Sequence, residues 1–203
     1  MTRLQAVLEL VFAAAIWGFG FVATQWALTS FTTPELLVHR FSIAVVIGLT
    51  LSFVLRRRAF QLRDILIAAP AGISLGLTLL LQTIGLETTT ATKSGFITTL
   101  YVILVPIFLH LFWGIRSTKF VYISCLVAIV GVGLLGNLEY EGFVVGDLWT
   151  LGCAVAASLQ IIAISRFSSR IDDALAFNNA QSVWCLVTVV PLLLMQDHVA
   201  LFT

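Results

Sequence analysis

Charge is what this chain lacks most. Only 10% of its 203 residues are Asp, Glu, Lys or Arg, whereas a soluble globular domain carries about 25%. So small a charged fraction cannot cover a water-exposed surface, and the natural solvent is lipid. The net charge of +1 lacks the basic footprint of a nucleic-acid binder. Cysteine is scarce as well. Cys125, Cys153 and Cys185 stand singly in apolar runs, with no CxxC pair and no neighbouring histidine. They read as small core hydrophobes rather than disulfide partners or metal ligands. An intramembrane enzyme needs a nucleophile with a base, or paired carboxylates. HExxH is absent, and neither His110 nor His198 is easily placed beside a serine. No catalytic residue and no cofactor is expected.

What the chain has in abundance is apolar length. Hydrophobic residues make up 60% of it, with a mean hydropathy of +1.06. A helix needs roughly 20 mostly apolar residues to cross about 30 Å of hydrocarbon. Seven segments qualify, at about 5–28, 35–55, 65–86, 95–113, 118–136, 147–166 and 174–195. The first follows Arg3 and contains Ala13-Ala14-Ala15, as a secretory signal does, but its apolar run continues to Leu28 and reads as an uncleaved span. The expected fold is an all-α integral membrane protein.

Orientation follows from the basic residues. Arg3, Arg56, Arg57, Arg58, Arg63, Arg116, Lys119, Arg166 and Arg170 fall on one side of the alternating spans, 9 of the 11 in the chain. The N-terminus is therefore expected in the cytoplasm, in a multi-pass protein of the cell (inner) membrane. The opposite loops hold Glu87, Glu139, Glu141, Asp147 and Asp197, with Lys93 their lone basic residue. Gly72 and Gly76 form a GxxxG in the third span, and Ala14 with Gly18 a small-xxx-small pair in the first. Both spacings predict close helix contact.

A weak repeat joins the two ends of the chain. "AAAIWGFGF" (13–21) falls on "CAVAASLQI" (153–161), and "PELLVHRFS" (34–42) on "ALAFNNAQS" (174–182). Five spans per unit make the second unit enter from the opposite side. That is the inverted repeat of secondary transporters, whose solute site lies near the midplane between the halves.

The segments "AAAIWGFGFVATQWAL", "HRFSIAVVIGL", "LLLQTIGLETTTATKSGFITTLYVILVPIF" and "GDLWTLGCAVAAS" resemble the EamA-like branch of the drug/metabolite transporter superfamily. The resemblance runs along the whole chain and is most specific in the third segment. It implies inverted five-helix repeats, here seven helices. Residues 1–138 would form the first repeat, and 139–203 would begin the second with two of its helices. It also implies transport of small metabolites or drug-like solutes. A family of ten helices makes this sequence look truncated after the seventh, so that the 203 residues alone are expected to transport poorly. The alternative is a non-transporting seven-helix receptor or scaffold. The expected partners are a small-molecule solute and the lipid bilayer, with a homodimer admitted.

Polar residues inside spans are the candidate site. Trp17, Gln82, Thr98, Tyr101 and Gln160 come from different spans at overlapping depths, as the lining of a small-solute cavity would. The alternative for each is an ordinary interhelical hydrogen bond. Lys93 and Ser94 lie in "GLETTTATKSGF" (85–96), a hairpin turn whose hydroxyls and lysine could form the rim of that cavity. Lys93 sits at the positive end of a helix dipole, which disfavours it, and pairing with Glu87 is the plainer reading. Glu9 is either interfacial or a proton relay. Glu35 and His39 share a helix face with Arg40 beside them, an anion- or proton-coupling group or a scaffold. Two ligands without others make no metal site. Pro106 in the fourth span is the expected flexing point.

Overall fold

The computed structural model describes residues 3–135 and 144–200. The expected unit boundary at 138/139, with Glu139 and Glu141, lies outside the described residues, as do the side chains of Asp197 and His198. The described chain is helical, without strands. Its helices are α1 (Arg3–Ala27), α2 (Thr33–Val54), α3 (Leu62–Leu86), α4 (Ala91–Thr98), α5 (Tyr101–Trp113), α6 (Lys119–Leu135), α7 (Val145–Phe167) and α8 (Ala174–Ala200). A 3₁₀ turn at Ser168–Arg170 links the last two.

Six of the seven expected spans are helices long and apolar enough to cross a membrane, α4 and α5 together making one. The remaining one is α6, described over 17 residues. The protein is an all-α membrane protein.

Helix starts are written in short side chains. Thr32 precedes α2, and its backbone N–H donates to Glu35 at 2.8 Å. Gln61 precedes α3, with Asp64 accepting from its N–H at 2.8 Å. At α7 the same bond runs from Val144 N–H to Asp147 at 2.9 Å. In each case an acid in the first turn satisfies a backbone donor that the helix leaves unpaired, and it also meets the positive end of the dipole. Glu35 is therefore a capping group.

α3 is the central element. It packs along α7 and α8, and α8 packs in turn on α2. An alanine-rich cluster of Ala68, Ala71, Ala163, Ala176 and Ala180 closes on Ile171 and Phe177 at one end. Leu37, Phe41, Leu79, Cys185 and Val189 fill the α2–α3–α8 contact. Gly72 and Gly76 make the approach of α8 possible. A Cβ at Gly72 would lie 2.4 Å from Trp184 Cβ, and one at Gly76 2.9 Å from Thr188 Cβ. Near Pro70, Trp184 Nε1 donates to the Ile65 carbonyl at 2.7 Å, one residue before the carbonyl that Pro70 deprives of its helical donor.

Gly72 to Gly76 also spell Gly-x-Ser-x-Gly, the pattern of a hydrolase elbow. That motif requires a sharp strand-to-helix turn. Here it lies inside α3, so it is a helix-packing device.

Three expectations are corrected. The small pair Ala14 and Gly18 does not seat a helix: a Cβ at Gly18 would meet nothing within 4 Å. The stretch 85–96 is only partly a turn, because α4 begins at Ala91, with Thr90 Oγ1 accepting from Lys93 N–H at 3.2 Å. The break in the fourth span is not at Pro106. It falls at Thr99–Leu100, where Thr99, Leu100, Val102 and Ile103 donate to carbonyls three residues back, the tight spacing of a 3₁₀ segment. Pro106 frees the Val102 carbonyl, and Cys125 Sγ reaches it at 3.4 Å, so that stretch stays helical.

Candidate functional site

A cavity of about 760 Å³ opens between α1, α4, the start of α5 and α7, with Thr78 of α3 in its wall. Trp17, Thr98, Tyr101 and Gln160 all line it. It also takes in Thr99, a further hydroxyl of the fourth span, and Phe21, Thr78 and Phe96, which sequence reasoning missed. The volume is that of a small-molecule site, for which roughly 300–1,000 Å³ is usual. The lining combines aromatic faces with hydroxyl and amide groups and contains no acidic or basic side chain. Ala14 and Gly18 line it too: their missing bulk opens the cavity on the α1 side.

A smaller cavity of about 280 Å³ lies between α1, α2 and α3, lined by Ala13, Ile16, Trp17, Gly20, Arg40 and Gln82. Trp17 belongs to both. Gln82 is 4% exposed, and its Nε2 has no hydrogen-bond partner among the described residues.

Above the large cavity, the first turn of α4 is locked to the first turn of α7. Lys93 Nζ lies 2.6 Å from Asp147 Oδ2. Asp147 is fully buried; its other oxygen accepts from Thr89 Oγ1 at 2.7 Å. Glu87 is not the partner of Lys93. It accepts from Thr33 Oγ1 instead and ties α3 to α2. The seam continues downward with Ser94 Oγ 3.4 Å from Thr150 Oγ1 and Thr98 Oγ1 3.8 Å from Cys153 Sγ. Two glycines bring these ends together. A Cβ on Gly146 would stand 2.3 Å from the Gly85 carbonyl oxygen, and one on Gly85 2.5 Å from Thr150 Oγ1. Only bare backbone lets α3 and α7 cross close enough to set Asp147 beside Thr89.

The other candidates lie apart. Glu9 is on an exposed face of α1 and lines neither cavity. Glu35 accepts from Thr32 N–H and Oγ1, both at 2.8 Å. His39 Nδ1 lies 2.7 Å from the Glu35 carbonyl oxygen, and its ring rests against Phe31. An open depression of about 760 Å³ between the ends of α1, α2 and α3 is bordered by Glu35 and Glu87, whose carboxylates are already engaged. The site thus draws together Trp17, Thr98, Tyr101 and Gln160, with Ser94 and Lys93 in the seam above. It leaves Glu9, Glu35 and His39 outside, and sets Arg40 with Gln82 in the side cavity.

Comparison with known proteins agrees with this architecture. The EamA-like transporter family matches residues 4–137. An uncharacterized transporter of Archaeoglobus fulgidus is 36% identical over 166 residues, covering 82% of this chain and 51% of the relative. The chain therefore spans about half the length of the curated relative it matches. No solved structure matches it.

Proposed function

Because the chain belongs to the EamA-like transporter family, we propose that it moves a small metabolite or drug-like solute across the cytoplasmic membrane by alternating access. The observation that carries this reading is the 760 Å³ cavity, whose walls come from α1, α3, α4, α5 and α7. Aromatic faces there would hold an apolar body, and Gln160, Thr98 and Tyr101 would orient its polar groups.

Residues 1–138 form the first five-helix unit of this proposal, and 139–203 begin the second, inverted one. Two observations support that division. The family match ends at residue 137. Of the two helix pairs that the 140-residue sequence offset superposes, α2 and α8 pack on each other, while α1 and α7 share the walls of the cavity, and inverted repeats place the solute site at such an interface. The relative's additional length leaves room for the rest of the second unit.

Access would alternate by opening the α4–α7 seam. Lys93–Asp147 closes the cavity at the end where α3 turns into α4, and the 3₁₀ segment at Thr99–Leu100 lets α4 swing without α5. Gating elements are drawn from such termini and interrupted helices. With the N-terminus in the cytoplasm, this closed end faces outward.

The test is uptake into liposomes carrying the full-length protein, using a radiolabelled panel of amino acids, nucleosides, sugars and cationic drugs. Trp17→Ala and Gln160→Ala should each raise KM for the solute carried, with unchanged membrane insertion. KM values that match the unaltered protein in both variants would refute the cavity assignment.

A further inference from the structure

The geometry points to an oxyanion subsite beside the main cavity, formed by Arg40 and Gln82, that takes the carboxylate of a solute whose apolar body lies across Trp17. The inference rests on the transporter reading and names the chemical class of its solute.

The two donors reach the same place from different helices. Arg40 lies seven residues into α2, and Gln82 four residues before the end of α3. At about 1.5 Å rise per residue, they stand roughly 10 Å and 6 Å inside the span from the same end of the bundle. Gly20, seven residues before the end of α1, faces them at the depth of Arg40. Its missing side chain leaves the room.

Neither donor is satisfied among the described residues. Arg40 has no ion-pair partner among the described residues. Arg40 keeps an exposed side chain, and a charged group inside a span is costly unless it is paired or reaches water. Yet among the described residues no acid lines either cavity, and Arg40 is the one charged side chain that does. Gln82 Nε2 is a buried amide donor with no acceptor among the described residues, a group that protein interiors seldom leave unpaired. An unpaired guanidinium fork and an unpaired amide N–H in one cavity of 280 Å³ are the complement of a carboxylate, which accepts both. Cations are excluded by Arg40 itself.

The shared wall fixes the rest of the solute. Trp17 separates this cavity from the larger one. An anion held at Arg40 would therefore lay its body against the indole, toward Phe21, Phe96 and Tyr101. A lipid phosphate offers the same oxyanion chemistry, so the test must separate the two sources.

Phenylacetate, phenethylamine and 2-phenylethanol share one body and differ in charge. Their binding to the 203-residue chain in phosphatidylcholine nanodiscs is measured by saturation-transfer NMR. Phenylacetate should bind saturably, phenethylamine not at all, and 2-phenylethanol weakly. Arg40→Gln should weaken phenylacetate about tenfold or more, equivalent to ~1.4 kcal/mol, while sparing 2-phenylethanol. Gln82→Glu supplies an internal carboxylate for Arg40; it should abolish phenylacetate binding with undiminished helix content, which keeps the test valid even where Arg40→Gln fails to fold. Equal binding of the amine and the carboxylate, or unchanged phenylacetate affinity in Gln82→Glu, would overturn the subsite and leave the cavity reading standing. Failure of all three probes to bind would overturn both. Should phosphatidylglycerol in the nanodisc displace phenylacetate from the unaltered protein, the oxyanion at Arg40 is a lipid headgroup and the solute assignment is wrong.

Discussion

Asp147 and Lys93 form the ion pair of the seam above the cavity. The carboxylate is fully buried and receives Lys93, Thr89 Oγ1 and Val144 N–H together. Removing one partner of a buried pair typically costs 3–5 kcal/mol, because the other charge is left uncompensated, whereas replacing both is often close to neutral. Lys93 retains 21% side-chain exposure, so the cost here belongs at the lower end, about 3 kcal/mol. Lys93→Gln should lower the unfolding midpoint in detergent clearly, Lys93→Met with Asp147→Leu should recover most of the loss, and Glu87→Gln should move it far less. A drop in Glu87→Gln as large as that in Lys93→Gln would contradict the pairing. The sequence displayed both charges but not their pairing. Lys93 was the lone basic residue among five acids at that end, and choosing Asp147 over Glu87 depends on the helix crossing at Gly85 and Gly146, which charge patterning cannot locate.

At the scale of elements, most of the architecture was legible because lipid leaves few choices. Apolar length fixed the spans, and the GxxxG of α3 marked a real contact with α8. Its counterpart in α1 failed for a physical reason: a small residue permits either a close neighbour or a void, and spacing does not distinguish them. The consequence is measurable. Gly72→Ala places a methyl group against Trp184 and the Gln181 carbonyl and should cost about 1–3 kcal/mol through overpacking. Gly18→Ala meets nothing and should be neutral or stabilising by up to about 1 kcal/mol from helix propensity. Thermal unfolding of the two variants side by side decides the matter, and equal destabilisation would refute the assignment. Proline was an unreliable sign of bending, since Cys125 compensates the carbonyl that Pro106 frees, while the tightened turn falls at Thr99–Leu100. Hydroxyl residues there gave no signal distinct from those of any other turn.

For the molecule as a whole, the transporter reading rests on charge asymmetry and the cavity. Arg57 and Arg58 pair with Asp173 and Asp64, and Arg166 lies 4.2 Å above the Trp113 ring, so one end of the bundle gathers guanidinium groups. Positive loops are retained in the cytoplasm. Reporter fusions after Arg58 and Arg170 should therefore be active inside, and a fusion after Thr88 outside; the reverse labelling would contradict the orientation. Of the cavity, Trp17, Thr98, Tyr101 and Gln160 were legible as polar or amphipathic groups in apolar spans. Phe21 and Phe96 were not, because an aromatic that faces a cavity reads in sequence like one that faces lipid.

The central claim is that the space between α1, α4 and α7 is the solute path, and Gly18 offers the most direct way to close it. A Cβ there would meet nothing within 4 Å, and Gly18 lines the cavity, so Gly18→Leu should project into it. The decisive measurement is initial uptake rate in liposomes for the full-length protein against its Gly18→Leu variant, with the unfolding midpoint of each recorded. The account predicts a midpoint no lower than that of the unaltered protein and a loss of uptake of at least about tenfold, ~1.4 kcal/mol, for every solute carried. Saturable uptake at the original rate in a folded Gly18→Leu protein would contradict it.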